Sequence, residues 1–306
     1  MVMKIKDVFT TKYGEWQVYY SVAGGAWTTL HGSKGYWYAD PTLISYQENI
    51  YLFTEAFQNS SQIGRIAVSK LNNGVFSKPE IIINKPYHLS YPCVFEYENR
   101  VYMLPETSQN RTLELYVAED DSLLDWRQIK VICENINCVD TTVFVNEQDV
   151  YLISYFQEPN NYSTVVYKLN MINYSIAEVF RKSDRLNISR PAGKVFMNKE
   201  SNEFYRPVQS NEFYRPVQSN ENCYGEKMRI LKINPNMNDW MGVEDKQISI
   251  EDLHINLIRR THTFNSVNDI IVVDGLIEHK TLMAPYFVIK RKLHNLKFKM
   301  RNDKKI

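Results

Sequence analysis

No stretch of the sequence reaches the run of about eighteen apolar residues that a membrane-spanning helix needs. The start, Met1 to Asp7, mixes lysine with apolar residues and has no apolar signal core, so a cytoplasmic protein is expected. Cysteine is scarce. The four residues (Cys93, Cys133, Cys138, Cys223) have no CxxC spacing, which argues against a disulfide framework or a zinc site. The expectation is reduced thiols, no metal and no cofactor. Charge of one sign is also lacking: 36 basic and 35 acidic residues leave a net +1, which predicts no nucleic-acid partner. GxGxxG, P-loop, HExxH and GxSxG patterns are absent, and with them the usual signatures of dinucleotide, phosphate, metalloprotease and serine-hydrolase sites.

What the chain does have is tyrosine, 21 residues of it, and a repeat. Asp40-Pro41, Tyr91-Pro92 and Asp140 each precede by eleven residues a strand that opens with Tyr51, Tyr102 or Tyr151. A fourth copy opens at Arg190-Pro191. Each copy carries four strand signals; in the first, the third and fourth strands meet at the Asn73-Gly74 hairpin signal. Four short strands at a period near fifty residues predict the blades of a β-propeller.

The chain ends supply a fifth blade. Thr261–Asn265 and Ile270–Gly275 read as its first two strands, and third and fourth strands do not follow them. Two orphan strand signals lie near the start, at Trp16–Tyr20 and Trp27–Leu30. Glu15 precedes Asp40 by the spacing that separates Arg65 from Tyr91, give or take one residue, which places the orphans third and fourth in the last blade. The expectation is an all-β, five-bladed propeller over residues 1–275, closed by N-terminal strands, with a basic extension over 276–306. That extension holds nine Lys/Arg from Lys280 onward against Asp303 alone. It reads as an amphipathic helix or strand, suited to a partner or an anionic membrane surface. Ser201–Gln209 and Ser210–Gln218 are the same nine residues, a tandem duplication in which the second copy is expected to form the strand. Nine is odd, so a slide by one copy would turn every side chain to the wrong face.

In a propeller the inner strand of each blade starts at the mouth where the second strand ends. That geometry gathers Asp40, Tyr91, Asp140, Arg190 and His262 with Glu55, Glu106, Tyr155, Gln218 (or Gln209) and Asp274. His88 lies just before the Tyr91 motif, either reaching the mouth or holding the interblade loop. Carboxylates beside Arg, His and aromatic rings suit sugars: acids accept from hydroxyls, and ring faces cover the apolar side.

The Asp40-Pro41 and Asp140 motifs, each followed at fixed distance by Tyr-Leu, resemble those of the five-bladed glycosidases of β-xylosidase and arabinanase type. That resemblance implies a base at Asp40 and, at Asp140, a residue that orients the acid. It also implies a general acid at the opening of blade four, where this chain carries Arg190. A guanidinium cannot protonate a leaving group at neutral pH, so Glu106 is the substitute acid. A closer resemblance, over residues 15–275, rests on several strings in order. They are Pro86–Pro92, Met103–Ser108, Arg190–Gly193, Tyr214–Gln218, Tyr224-Gly225 and Thr261–Asn265. Together they resemble the N-terminal domain of plant glucosamine inositolphosphorylceramide transferases and its bacterial relatives, which implies a role in building surface glycans.

Three functions fit. The first is recognition of a carbohydrate or sugar phosphate in polysaccharide or glycolipid synthesis, with Glu55, His88, Tyr91, Arg190, Gln218, His262 and Asp274 binding. The second is a glycosidase-like or glycosyl-transferring enzyme using Asp40, Glu106 and Asp140. The third is a scaffold that holds a glycosyltransferase or other glycan-assembly partner through its basic tail.

Overall fold

A computed structural model describes residues 13–158, 161–197, 212–220, 223–248, 250–256, 258–279 and 284–302. Five small antiparallel sheets form the five-bladed propeller. The fifth, closing blade contains β1 (Tyr13–Val22), β2 (Thr28–Thr29) and two strands from the other end of the chain, described below. Blade one begins with β3 (Tyr36–Tyr46), β4 (Asn49–Gln58) and β5 (Ile63–Asn72), edged by β6 (Val75–Phe76) and β7 (Glu80–Ile83). Then come β8 (Ser90–Tyr97), β9 (Arg100–Thr107), β10 (Thr112–Ala118) and β11 (Trp126–Glu134). The third repeat gives β12 (Cys138–Asn146), β13 (Asp149–Glu158), β14 (Asn161–Leu169) and β15 (Ile176–Ser183). The fourth gives β16 (Arg190–Pro191), β17 (Phe196–Met197), β18 (Phe213–Ser219), β19 (Lys227–Asn234) and β20 (Asp239–Ile248).

The ring closes with strands from both ends of the chain, in the order β2, β1, β22 (Ile270–His279), β21 (Phe264–Val267). Here β1 pairs with β22 in unbroken register from Tyr13↔His279 to Val22↔Ile270. That ladder ties the two termini together and covers two strand edges that would otherwise be free to pair elsewhere.

Burial follows from stacking sheets around an axis. Tyr51 through Phe57 in β4 are all buried, because a second strand has a neighbouring blade on each face. The outer strands β11 and β15 alternate between half-buried and exposed positions. One apolar cluster fills each gap between blades. Phe53, Ile66 and Val68 meet Val94, Met103 and Tyr116; Leu43 and Leu52 meet Val18, Tyr20 and Val272. Burying one such Leu or Phe fully stabilises the fold by about 1.5–3 kcal/mol.

Four features fill out the sequence reading. β22 runs on to His279, past the expected boundary at 275. The fourth strand of blade four starts at Asp239 after a tight turn, which Asn234 caps by accepting from the Met237 amide and in which Asn238 takes φ 57°. The inner strand of that blade is split at Gly193, whose φ is 148°; a Cβ there would lie 1.9 Å from the Phe264 carbonyl oxygen. The tail forms a helix, Ala284–Asn302. The second copy of the duplication supplies β18, while the first, 201–209, lies outside the described residues.

Candidate functional site

The inner strands of three blades break register at the same point. The breaks fall between Ala39 and Thr42, Ser90 and Cys93, and Val139 and Thr142. At each break one residue is left-handed: Asp40 (φ 50°), Tyr91 (φ 43°) and Asp140 (φ 47°). For residues with a Cβ this conformation is strained, and such bulges re-aim backbone and side chain together. Each frees an amide that donates to a neighbouring carboxylate. Asp40 N reaches Asp274 Oδ2, Tyr91 N reaches Asp40 Oδ2, and Asp140 N reaches Glu106 Oε2, all at 3.1 Å. The carboxylates are therefore wired to the bulges around the axis.

Two clusters result. In the first, Asp274 accepts from the amides of His262 (3.0 Å) and Thr263 (3.1 Å) and stands 2.7 Å from His262 Nδ1. His262 Nε2 lies 3.3 Å from Asp40 Oδ1, which also accepts from the Thr263 hydroxyl. Burial drives Asp40 toward its protonated form against the pull of His262, and the nearby Asp140 and Asp274 add to the rise, to about 6. Burial opposes charge on His262 too, but Asp274 and Asp40 outweigh it and raise its pKa. In the second cluster Asp140 Oδ2 accepts from Arg190 Nε (2.5 Å) and Gln218 Nε2 (2.9 Å). Glu106 Oε2 is 3.9 Å from the other end of the guanidinium. Burial lifts the Asp140 pKa to about 7 despite Arg190, with Glu106 raising it further.

Glu55 and His88 make a third group at the rim. His88 Nδ1 accepts from the Gly64 amide, which leaves Nε2 as the protonated nitrogen in the neutral ring. That nitrogen stands 3.4 Å from Glu55 Oε1. Gly64 is required here, since a Cβ would come within 2.6 Å of Glu55 Oε1 and 2.5 Å of the Leu89 carbonyl oxygen. Burial pushes the Glu55 carboxyl well above the usual range, helped by Asp40, Glu106 and Asp274. His88 thus both reaches the mouth and holds the loop.

Two expected mouth residues turn away. The phenol of Tyr91 runs inward: its hydroxyl bonds to Thr142 Oγ1 (2.7 Å) and accepts from the Gly193 amide (2.8 Å), so it cross-links blades two, three and four. Only its backbone serves the site. Tyr155 donates to Asp184 Oδ2 and Asn187 Oδ1 in the connection to blade four. Two aromatic residues were missed. Trp16 stacks on His262 (4.0 Å between ring centroids, 26° between planes), and Tyr224 meets His262 edge-on at 5.0 Å. The Arg190 guanidinium lies 5.2 Å over the Tyr224 ring. Trp16 read as an ordinary strand residue, and the only signal for Tyr224 was the Tyr-Gly pair at a blade connection. Exposure is graded: Asp274 and His262 are at most 3% exposed, Glu106 and Arg190 about a tenth, His88 26% and Tyr224 41%.

The ligand atoms of Asp40, His262 and Asp274 lie within 4.8 Å of one another, close enough to hold a cation. In the geometry seen, the His262 ring lies between the two carboxylates, 2.7 Å from Asp274 Oδ2 and 3.3 Å from Asp40 Oδ1, so a metal would compete with a proton there.

The fold is the five-bladed β-propeller, an architecture also found among glycosidases. An endo-arabinase from Bacteroides thetaiotaomicron superposes with a TM-score of 0.56 at 12% identity, over 79% of this chain and 93% of that one. The chain belongs to the family described as glucosamine inositolphosphorylceramide transferase 1, N-terminal, whose model matches residues 2–256. It is 31% identical over 153 residues to glucosamine inositolphosphorylceramide transferase 1 of Arabidopsis thaliana, covering 49% of this chain and 20% of that protein. It is 35% identical over 121 residues to the protein of the same name from Oryza sativa subsp. indica, covering 39% of this chain and 16% of that one. The chain thus aligns with a fifth or less of these relatives.

Proposed function

We propose that this propeller recognises a carbohydrate or sugar phosphate at its mouth and acts in the synthesis of a surface polysaccharide or glycolipid. The observation that carries this reading is the partly open group of Glu106, Arg190, His88 and the Tyr224 ring above a buried layer of Asp40, Asp274 and His262. A carboxylate accepts from vicinal hydroxyls, a guanidinium takes an anionic substituent, and a tyrosine face covers a pyranose ring. The relatives' names, which place them in glycolipid transfer, support the same direction, as does the glycosidase fold. A glycosyltransferase or other glycan-assembly protein is the partner this role calls for.

One observation favours a second reading, catalysis at a glycosidic or sugar-phosphate bond. Asp40 and Asp140, raised to about 6 and about 7, have the pKa values of groups that exchange protons near neutrality. Against it, Arg190 stands where the glycosidase resemblance calls for the acid, and both oxygens of Asp40 already accept hydrogen bonds. A glycan array probed with wild type, Asp40→Asn and Glu106→Gln separates the two. Binding without turnover, weakened in Glu106→Gln, supports recognition. Turnover abolished by either substitution establishes the enzyme. Absence of any glycan or sugar-phosphate binding would reject both.

A further inference from the structure

The helix Ala284–Asn302 is anchored beside the mouth by one face. Ala284 is fully buried, Phe287 lies 4.9 Å from the Tyr13 ring, and the Arg291 guanidinium covers both Tyr13 (5.0 Å) and Phe57 (5.6 Å). Lys290 Nζ donates to the Asn59 carbonyl. Phe57 in turn stacks on Trp37 at 4.3 Å and lies 5.9 Å from His88 at the rim. Only one side chain, Phe57, therefore separates Arg291 from the site.

The opposite face carries apolar residues into solvent. Tyr286, Ile289 and Leu293 are 53%, 48% and 54% exposed and follow one another at three- and four-residue spacing, on one stripe of the helix. Lys292, between Ile289 and Leu293 in the chain, is exposed as well, and the helical sequence from 284 to 302 holds five further Lys/Arg. Aspartate and glutamate are absent from positions 280–302. A helix that only needed to cover the propeller would show water a polar outer face. An exposed apolar stripe on a basic helix without acids is instead the pattern of a helix lying in the plane of a membrane interface.

We propose that this helix docks the protein on an anionic bilayer surface, with the apolar stripe at the level of the acyl chains and the lysines among acidic headgroups. The opposite face of the same helix is joined to the rim of the propeller mouth, so docking holds the mouth close to the headgroup layer, where, on the function proposed above, a lipid-linked glycan would be presented. The chemistry favours lipid over an acidic protein because the exposed stripe holds two aliphatic residues and a tyrosine on a helix whose sequence is basic and free of acids.

Cosedimentation of the full chain with phosphatidylcholine vesicles, and with vesicles in which about a third of the lipid is phosphatidylglycerol, tests this. Binding to the anionic vesicles alone is expected, falling at least tenfold at high salt. The triple variant Tyr286→Asp, Ile289→Asp, Leu293→Asp should lose binding by at least about a hundredfold, since it reverses the stripe. Lys292→Glu should lose about fivefold per charge changed. All four positions are exposed, and unchanged circular dichroism and Tm would show that the variants fold. Equal binding to neutral vesicles, full retention by the triple variant, or a wild-type dimer that the triple variant makes monomeric would each overturn the proposal.

Discussion

Asp40 and Asp140 occupy the same bulge in blades that stand apart around the ring, with the same left-handed backbone, and each donates its amide to a neighbouring carboxylate, Asp274 for one and Glu106 for the other. They differ in the cation they face. Asp40 faces His262, which also touches Asp274, whereas Asp140 faces Arg190, with Gln218 and Glu106 beside it. An imidazole can lose its charge near neutral pH and a guanidinium cannot. One half of the mouth is therefore built on a titratable cation and the other on a permanent one. The placement suits a receptor whose Arg190 side holds an anionic or hydroxyl-rich group at any pH, while the His262 side keeps the scaffold closed beneath it.

The sharpest way to break the comparison is to remove the permanent cation. Arg190→Met leaves Asp140 buried against Glu106, and loss of one partner of a buried pair costs about 3 kcal/mol. Asp140→Asn should cost a similar amount by stranding the guanidinium. The double variant should be more stable than the sum of the two losses allows, a coupling that a urea denaturation cycle measures directly. Simple additivity would mean the contact contributes nothing of its own.

Next in size is the response to pH. Asp40 and Asp140 have folded values raised from 3.8 to about 6 and about 7. A raised value means that the folded state binds the proton more tightly. The contribution is whole below the ordinary value and is lost as pH climbs through the folded one. Stability measured by urea denaturation should therefore fall between about pH 4 and 7, by several kcal/mol, at about 1.4 kcal/mol for each unit by which a pKa is raised. Asp40→Asn should flatten the lower part of that slope, up to about 6, and Asp140→Asn should flatten it up to about 7. His262 is also raised, so its contribution is whole below its ordinary value of 6.5 and disappears as pH rises past the raised one. His262→Gln should remove the remaining slope on the alkaline side. An Asp140→Asn protein as steep as wild type between pH 4 and 7 would show that the buried carboxyl is not the source.

Smaller again is the aromatic cover. Trp16→Ala removes the ring stacked on His262 and should weaken glycan binding about tenfold through the loosened floor of the site, with a stability loss near 1 kcal/mol. Tyr224→Ala, which exposes Arg190 directly, should weaken binding by a similar factor and leave the pH slope unchanged. Calorimetric titration with any glycan retained on the array would check both.

The ring and most of its mouth were legible in the sequence because both rest on local signals. The Asp-Pro and Tyr-Pro motifs sit at a fixed distance from Tyr51, Tyr102 and Tyr151, and that distance fixes where the bulge falls relative to the hairpin. Closure was legible because Glu15 repeats the spacing of Arg65. What was not legible is which way a side chain leaves a bulge. Tyr91 and Asp40 share a motif position and a backbone conformation, yet the Tyr91 hydroxyl finds Thr142 and Gly193 across the axis, a pairing between three blades that no local pattern records. Trp16 and Tyr224 failed for the same reason: each becomes part of the site only where strands from opposite chain ends meet. The gain of a cation-sized cluster at Asp40, His262 and Asp274 likewise depends on closure bringing β22 beside β3.

The least disruptive change tests the Arg190 half on its own. Deleting residues 201–209 or 210–218 gives the same protein, since the copies are identical, so the chain itself selects which nine residues form β18. In the structure Gln218, from the second copy, pairs with Arg190 and donates to both Asp140 Oδ2 and the Pro191 carbonyl, and Arg215 is buried with bonds to the carbonyls of Ser189 and Trp240. All of those contacts are anchored on the C-terminal side of the duplication, through the β18–β19 ladder. Removing one copy therefore leaves them untouched and shortens only the connection from β17, which should change stability by less than about 1 kcal/mol, toward greater stability. Binding and the Asp140 part of the pH slope should match wild type. A loss of several degrees in Tm, or a pH slope that reverts to that of Asp140→Asn, would mean that the register of β18 is held from the N-terminal side and that the second copy is not the one the Arg190 half depends on.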